Sequence, residues 1–269
     1  MSIFPVPPTV AELRSGGFGR PKWLSSGAGL TGLVLIWQLI GATIMSKSGS
    51  VPTPLEIVRQ MHKDGFSFYW RNTSATGSAA FKGWMWGNLI AIGLAMLVLI
   101  VPLVQKPLMQ LGITSYCLPS VAIGPVFAIV FSGEAPSVIL AAMAVFFTTL
   151  VGTLDGLHSA DPASLDLIHA YGGGPFKKLV KVRFRSALPS LFAALRIASP
   201  AAILGAIIGE YSGAERGLGV AMINSQQSLE VSRTWALALL ATAAAAVAFG
   251  ITASLGRLAS PWAPRGDNR

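Results

Sequence analysis

Apolar residues in this chain fall into long blocks separated by short polar interruptions. Six blocks, 27–46, 82–104, 109–131, 136–157, 188–211 and 235–257, reach about the 20 residues that cross a hydrocarbon layer as a helix. None alternates with the two-residue period of a barrel wall, and lipid admits only helices or closed barrels. The pattern predicts an all-α polytopic membrane protein with six transmembrane helices. The first block follows Arg14, Arg20 and Lys22 and has no small-x-small cleavage pattern, so it reads as a span rather than a signal peptide. Between the first two blocks, VPTPLEIVRQM predicts a short amphipathic helix begun by Pro54 and lying at the interface. The third block contains CLPSVAIGP, where Pro119 and Pro125 each remove a backbone donor. Two outcomes stay open there: a tolerated kink in one span, or a broken helix lining a pathway.

One interruption differs from the rest. DLIHAYGGGPFKKLVKVRFRSALPSL, Asp166 to Leu191, holds three consecutive glycines and five lysines or arginines. Upstream, Asp161-Pro162 predicts a helix start, with Asp as N-cap and Pro in the first turn. That helix should end at Gly172-Gly173-Gly174, because glycine accepts left-handed backbone angles without a steric cost. Pro175 should then start a second helix carrying Phe176, Leu179, Val180 and Val182, with Pro189 opening the fifth span. The expected product is a helix–hinge–helix knob with an apolar side, which suits a docking partner.

Composition agrees with a membrane setting: 52% of the 269 residues are hydrophobic and 12% charged, against roughly 25% charged in soluble domains. The net charge of +9 does not imply nucleic acid, since few basic residues cluster outside the knob. With the N-terminus inside, 12 Lys and Arg fall on the cytoplasmic side and 7 on the outer side, with Arg196 inside a span. This bias predicts two cytoplasmic termini. The single cysteine, Cys117, excludes an internal disulfide and is expected to be packed and inert. His62, His158 and His169 share no ligand spacing, and no GxxxxGK[ST] loop occurs, so no metal or cofactor is expected and any ATP chemistry belongs to a partner. A membrane-embedded enzyme would need an intramembrane catalytic constellation. A self-sufficient secondary carrier would show inverted repeats with paired polar sites. Neither pattern is present. Charges and kinks at depth mark candidate pathway residues: Pro119, Pro125, Arg196, Pro200 and Glu210. Arg196 either snorkels or faces the route. Glu210 is either an exposed interfacial acid bonding loop backbone or a gate. Asp155 is expected to be interfacial.

The knob resembles the EAA loop of permease subunits of type I ABC importers, whose pattern is Glu-Ala-Ala-x3-Gly followed by Leu-Pro. Asp166 takes the Glu position, Leu167 and Ile168 the alanines, and Gly172 the glycine. The first Leu-Pro falls on Phe184-Arg185, a departure, while Leu188-Pro189 is kept. LPSLFAALRIASPAAILGAIIGEYSGAERGLG, INSQQSLEVSRTWA, Pro119-x2-Ala122-x2-Pro125 and WQLIG…VPTPLEIV are similar to permeases for nitrate, sulfonate, taurine and pyrimidine-precursor uptake. The resemblance implies the type I importer permease fold in a bacterial inner membrane. It implies a cytoplasmic segment at 1–26, a permease domain at 27–258 with its coupling loop at 158–187, and a cytoplasmic tail at 259–269. It also implies ATP-binding cassette subunits seated on Asp166, Ala170, Gly172, Gly173, Pro175 and Phe176. An extracytoplasmic solute-binding protein, a second permease copy and membrane lipid complete the implied partners.

Overall fold

A computed structural model describes residues 22–44 and 49–262. Most of the segment expected at 1–26, the end of the first block at 45–46 and most of the tail expected at 259–269 lie outside the described residues. The chain divides into two compact units, Met1–Ile57 and Val58–Arg269. In the first, helix α1 (Lys22–Ala42) carries the first apolar block. Gly41 lies against Thr53, where a β-carbon would come within 3.0 Å of the threonine methyl. Thr53 opens helix α2 (Pro54–Asp64) through a reciprocal cap. The Glu56 N–H donates to Thr53 Oγ1 at 3.2 Å, and the Thr53 N–H donates to the Glu56 carboxylate at 2.7 Å. Pro54 at the first helical position lacks only a donor that would be idle there.

The second unit is built on α3 (Phe66–Ile100), α6 (Ala135–His158), α9 (Phe184–Glu210) and α11 (Val231–Ala259). All four are long and apolar enough to cross a membrane. Helix α6 lies between α3 and α9. Lipid is as apolar as leucine, so helices associate there through close packing, for which small residues serve. Gly83 and Gly87 of α3 meet α6, as do Gly205 and Gly209 of α9. Gly152 and Gly156 of α6 return the contact against Ala194 and Ala187. Each pair is spaced by four residues and so shares a helix face. Ala91, Ala95, Val98, Leu150, Leu154, Leu157 and Ala187 bury the core beside these stripes. A buried Thr149–Asn88 hydrogen bond of 2.5 Å ties α6 to α3.

Two boundaries correct the sequence reading, and at 109–131 the broken helix, one of the two outcomes left open, is the one found. The block at 109–131 is not one continuous span: α4 (Gln105–Cys117) and α5 (Ser120–Val130) meet at a 96° bend. Leu118 precedes a proline and is forced out of helical angles, to ψ 124°, and Pro119 then caps α5 instead of continuing α4. Nor does the fifth span begin at Pro189. Helix α8 (Pro175–Lys178), a π-helical turn (Leu179–Arg183) and α9 run on without a break, and Pro189 lies inside α9. The second span begins at Phe66 rather than residue 82. At 1.5 Å per residue, α3 is about 50 Å long, more than the roughly 30 Å hydrocarbon core. Its first turns therefore project beyond that core, where buried Asn72 and Thr76 find polar partners.

Candidate functional site

The knob consists of α7 (Pro162–Ala170), the glycine run and the start of the α8–α9 helix. Asp161 caps α7, accepting from the backbone N–H of Ala163 and Ser164 and from the Ser164 hydroxyl at 3.0–3.3 Å. The Ser164 hydroxyl, followed by those two amides, holds the Asp161 carboxyl below the usual carboxylate range. At the other end the Gly173 N–H reaches the Ile168 carbonyl at 2.8 Å, and the Gly172 N–H reaches His169 at 2.9 Å. These two bonds form a Schellman cap with Gly172 at the left-handed position, φ 71°. Gly173 is needed for a different reason, because a β-carbon there would collide with Ile168. Gly172 therefore supplies an angle and Gly173 a clearance.

Asp166, Leu167 and Ala170 are exposed on α7, and Tyr171 and Phe176 flank the glycines at 83% and 74% exposure. Among the described residues nothing covers these rings. Behind them lies a cavity of about 880 Å³ between the knob and the end of α3, lined by Leu99, Ile100, Gly172, Phe176 and Leu179 among others. Lys177 and Lys181 are exposed beside it. Arg185 stacks over Trp262 at 5.1 Å, joining the base of the knob to the end of the last span.

The pathway candidates scatter. Pro119 and Pro125 lie exposed on the broken pair, and α5 approaches the end of α9 where Gly124 meets Ser212. Pro200 is half-buried within α9. Arg196 is exposed, with its guanidinium 5.3 Å above the Phe249 ring of α11. The groove of about 490 Å³ between α4, α6 and α9 includes none of the five. It is lined by Tyr116, Thr148, Asp155 and Ser190 over an apolar floor that includes Phe147, Val151 and Ile197. Cys117, expected to be packed, is exposed, because the bend at Leu118 ends α4 there.

Glu210 is not an exposed interfacial acid: only 2% of it is accessible. Its Oε2 accepts from the Gly219 N–H at 2.7 Å, in the first turn of α10 (Leu218–Gln227). Beside it the Leu218 N–H donates to Thr76 Oγ1 at 2.8 Å and the Gly217 N–H to Asn72 Oδ1 at 3.3 Å. Three otherwise idle donors at a helix start are thus satisfied by side chains of α3 and α9. Gly217 and Gly219 leave the space, since a β-carbon on either would strike the carboxyl side chain. The expected bond from Glu210 to the backbone after it is present, but the burial of its carboxylate, helix α10 and the shares of Asn72 and Thr76 in the cap were not read from the sequence. A second polar cluster was also missed. Arg233 donates to both Asp64 oxygens at 2.9 and 2.5 Å, and Tyr69 and Gln60 donate to the same carboxylate at 2.7 and 2.8 Å.

Comparison with known proteins bears on what such a molecule does. Residues 87–262 match the family described as binding-protein-dependent transport system inner membrane component. A "Probable ABC transporter permease protein" of Haemophilus influenzae is 29% identical over 209 residues, 77% of this chain and 85% of that one. A formylaminopyrimidine transport permease protein of Halalkalibacterium halodurans is 29% identical over 188 residues, covering 70% and 75% of the two chains. A riboflavin transport system permease protein of Chloroflexus aurantiacus is 27% identical over 229 residues, covering 83% and 85%.

Proposed function

Since the chain belongs to the family of binding-protein-dependent transport system inner membrane components, and is thus a multi-pass ABC transporter permease, we propose that it is the pathway-forming subunit of an importer driven by a separate ATPase. Two copies enclose the route in a bacterial inner membrane, with both termini cytoplasmic. An extracytoplasmic binding protein delivers the solute, and paired ATP-binding cassette subunits grip the knob. The observation that carries this reading is the knob itself, whose aromatic residues Tyr171 and Phe176 stand exposed beside a glycine-capped helix end. A moving ATPase can shift the spans only through a contact that differs in energy between inward and outward states. A capped helix fused to a 35-residue span, Phe176–Glu210, supplies such a contact.

The solute is a small polar molecule of the sulfonate, nitrate or pyrimidine-precursor class. Within that range the groove at Asp155 favours a solute with hydrogen-bond donors on an apolar body, since its floor is apolar and its one charged group is an acid. A relative named for formylaminopyrimidine supports this bias, whereas one named for aliphatic sulfonates, 24% identical over 244 residues, supports the other end of the range.

The test uses the complex reconstituted in vesicles. Gly172→Val forces a β-branched residue to φ 71°, and Phe176→Asp charges the exposed contact. Either variant should insert and hydrolyse ATP weakly, yet lose stimulation by the loaded binding protein and lose uptake. Wild-type stimulation and uptake in both variants would refute the coupling role.

A further inference from the structure

The cavity of about 880 Å³ between the knob and the end of α3 has two unlike walls. Leu99, Ile100, Pro102 and Leu179 make one apolar, while Lys178 and Arg183 make the other cationic. No acidic side chain lines it. Lys178 and Arg183 are half-buried, whereas Lys177, Lys181 and Arg185 around them are exposed. Neither half-buried cation has a side-chain hydrogen bond or ion pair among the described residues. Nearby acids are placed elsewhere: Asp161 caps its own helix, Asp166 is exposed on α7, and Asp155 lines a separate groove. Withdrawing a cation from water without a counter-charge is costly, so two such groups on one cavity call for an anion.

The backbone brings these two cations together. Residues five apart in a regular α-helix point roughly 140° from one another, since each adds about 100°. Lys178 and Arg183 are five apart, yet both line the same cavity. Between them Leu179–Arg183 forms a π-helical turn, closed by the Phe184 N–H donating to the Leu179 carbonyl. That wider turn narrows the angle between the two side chains. Single π turns are rare in helices and frequently mark functional sites.

The height of the cavity narrows the choice of anion. From Gly83 to Gln105 the chain carries no charged residue, and Lys106 follows. The end of α3 therefore lies where hydrocarbon gives way to headgroups, and Ile100 and Leu103 are exposed there.

We propose that the cavity holds one anionic glycerophospholipid from the leaflet on the knob's side. Its phosphate sits between Lys178 and Arg183, and the first methylenes of its chains cover Leu99, Ile100 and Leu179. Basic pockets at the ends of spans bind such headgroups. A partner protein's carboxylate would meet the cations but leave the apolar wall bare. The bound lipid fills the gap between the knob and α3 and braces one against the other. This site rests on the membrane setting alone, and on neither the solute nor the ATPase contact.

The test uses the purified full chain in neutral detergent, without partner subunits. Native mass spectrometry counts retained lipid, and the melting temperature reports binding by mass action. One phosphatidylglycerol per chain should be retained and should raise the melting temperature, whereas phosphatidylcholine at the same concentration should do neither. Lys178→Gln and Arg183→Gln should each weaken phosphatidylglycerol about fivefold. Lys177→Gln combined with Lys181→Gln removes as much charge as both together but should leave binding unchanged. Ile100→Ser, at the exposed end of α3, should weaken binding about threefold through the lost apolar contact. Without lipid, the Lys178 and Arg183 variants should melt no lower than wild type, because each loses an unpaired cation. Should either fail to fold, Arg183→Lys keeps the charge and must retain phosphatidylglycerol. Wild-type retention in both glutamine variants overturns the site, as does equal weakening by the Lys177 and Lys181 pair, which would mark diffuse surface charge. Displacement of the lipid by inorganic phosphate overturns it in favour of a free anion. No preference over phosphatidylcholine overturns it in favour of a protein carboxylate. If Gly172→Val leaves coupling intact while phosphatidylglycerol binds as described, only the coupling role falls.

Discussion

Replacing a single hydrogen by a methyl group should have opposite effects at different glycines of this bundle. A β-carbon on Gly205 would stand 2.7 Å from the Leu140 carbonyl oxygen and 2.8 Å from Ala141 Cα. Those are backbone atoms of α6, so no rotamer change relieves them. Restoring ordinary contact requires α6 and α9 to separate locally by roughly 0.6 Å, which forfeits part of the attraction at neighbouring contacts as well. Overpacking of this kind costs about 1–3 kcal/mol. Gly93 and Gly250 are also helical, but a β-carbon on either meets nothing within 4 Å. There the gain in helix propensity from alanine, about 0.5–1 kcal/mol, stands alone. Gly205→Ala should therefore destabilise the chain by ~1–2 kcal/mol net, while Gly93→Ala and Gly250→Ala stabilise it slightly. Equilibrium unfolding in mixed micelles of increasing denaturing-detergent fraction measures all three. If Gly205→Ala matches or exceeds wild type, the α6–α9 interface is not set by backbone approach.

Three further outcomes follow from the geometry. Arg233, with help from Tyr69 and Gln60, holds the Asp64 carboxyl below its usual range despite partial burial. Its contribution is thus complete at neutral pH and is lost as pH falls through the lowered folded value. Asp64→Asn should cost ~2 kcal/mol at pH 7, and the gap between variant and wild type should begin to narrow only below about pH 4, the unfolded value, and close at pH values below the lowered folded one. An equal gap at both pH values would refute the pairing. Asp155→Asn should depress uptake more than Arg196→Ala with the ATPase still co-purifying, because Asp155 lines the groove and Arg196 lies over Phe249; the reverse order would move the route to the α9–α11 face. In a Cys117→Ala background, Ser74→Cys should react with an impermeant thiol reagent from outside and Ser159→Cys should not. Labelling of Ser159→Cys in intact cells would invert the topology.

Hydrophobic blocks made four spans legible, those at 82–104, 136–157, 188–211 and 235–257, because the length needed to cross lipid is a property of sequence alone; among the described residues the first block gives only a shorter apolar helix, Gly29–Ala42, and the third a bent pair. The knob was legible for a related reason: caps and glycines act within a few residues, and Asp161 and Gly172 do locally what their types predict. The third block was ambiguous because two prolines permit either a kink or a break, and the 96° outcome depends on how the chain packs afterwards. Glu210 was misplaced on the surface because its environment comes from far along the chain. Thr76 and Asn72, which complete its cap, are separated from Leu218 and Gly217 by 142 and 145 residues. The paired glycines at 83/87, 152/156 and 205/209 were visible as spacing, yet their partners were not.

A mechanical consequence follows from the continuity of α8 and α9. The helix from Phe176 to Glu210 spans 35 residues, about 50 Å at 1.5 Å per residue. One end lies in the proposed ATPase contact and the other holds α10 through the Glu210–Gly219 bond. A rigid rod between those ends would tilt α10 whenever the knob moved. The rod has two defined weak points. The π-helical turn at Leu179–Arg183 lies just above the knob, and Pro189 and Pro200 each remove an internal hydrogen bond from α9. Between Pro189 and Glu210 the helix is pinned to α6 by Gly205 and Gly209, so bending there would open a tightly packed interface. Below Pro189 the constraint is weaker, because Val180 and Phe184 are exposed and the tie to the last span is the single Arg185–Trp262 stack. Knob motion should therefore be absorbed first at the π turn. Only displacement exceeding that compliance would reach Glu210 and α10. Under the proposed function, the stiffness of five residues, Leu179 to Arg183, sets how much of an ATPase stroke arrives at Glu210 and α10.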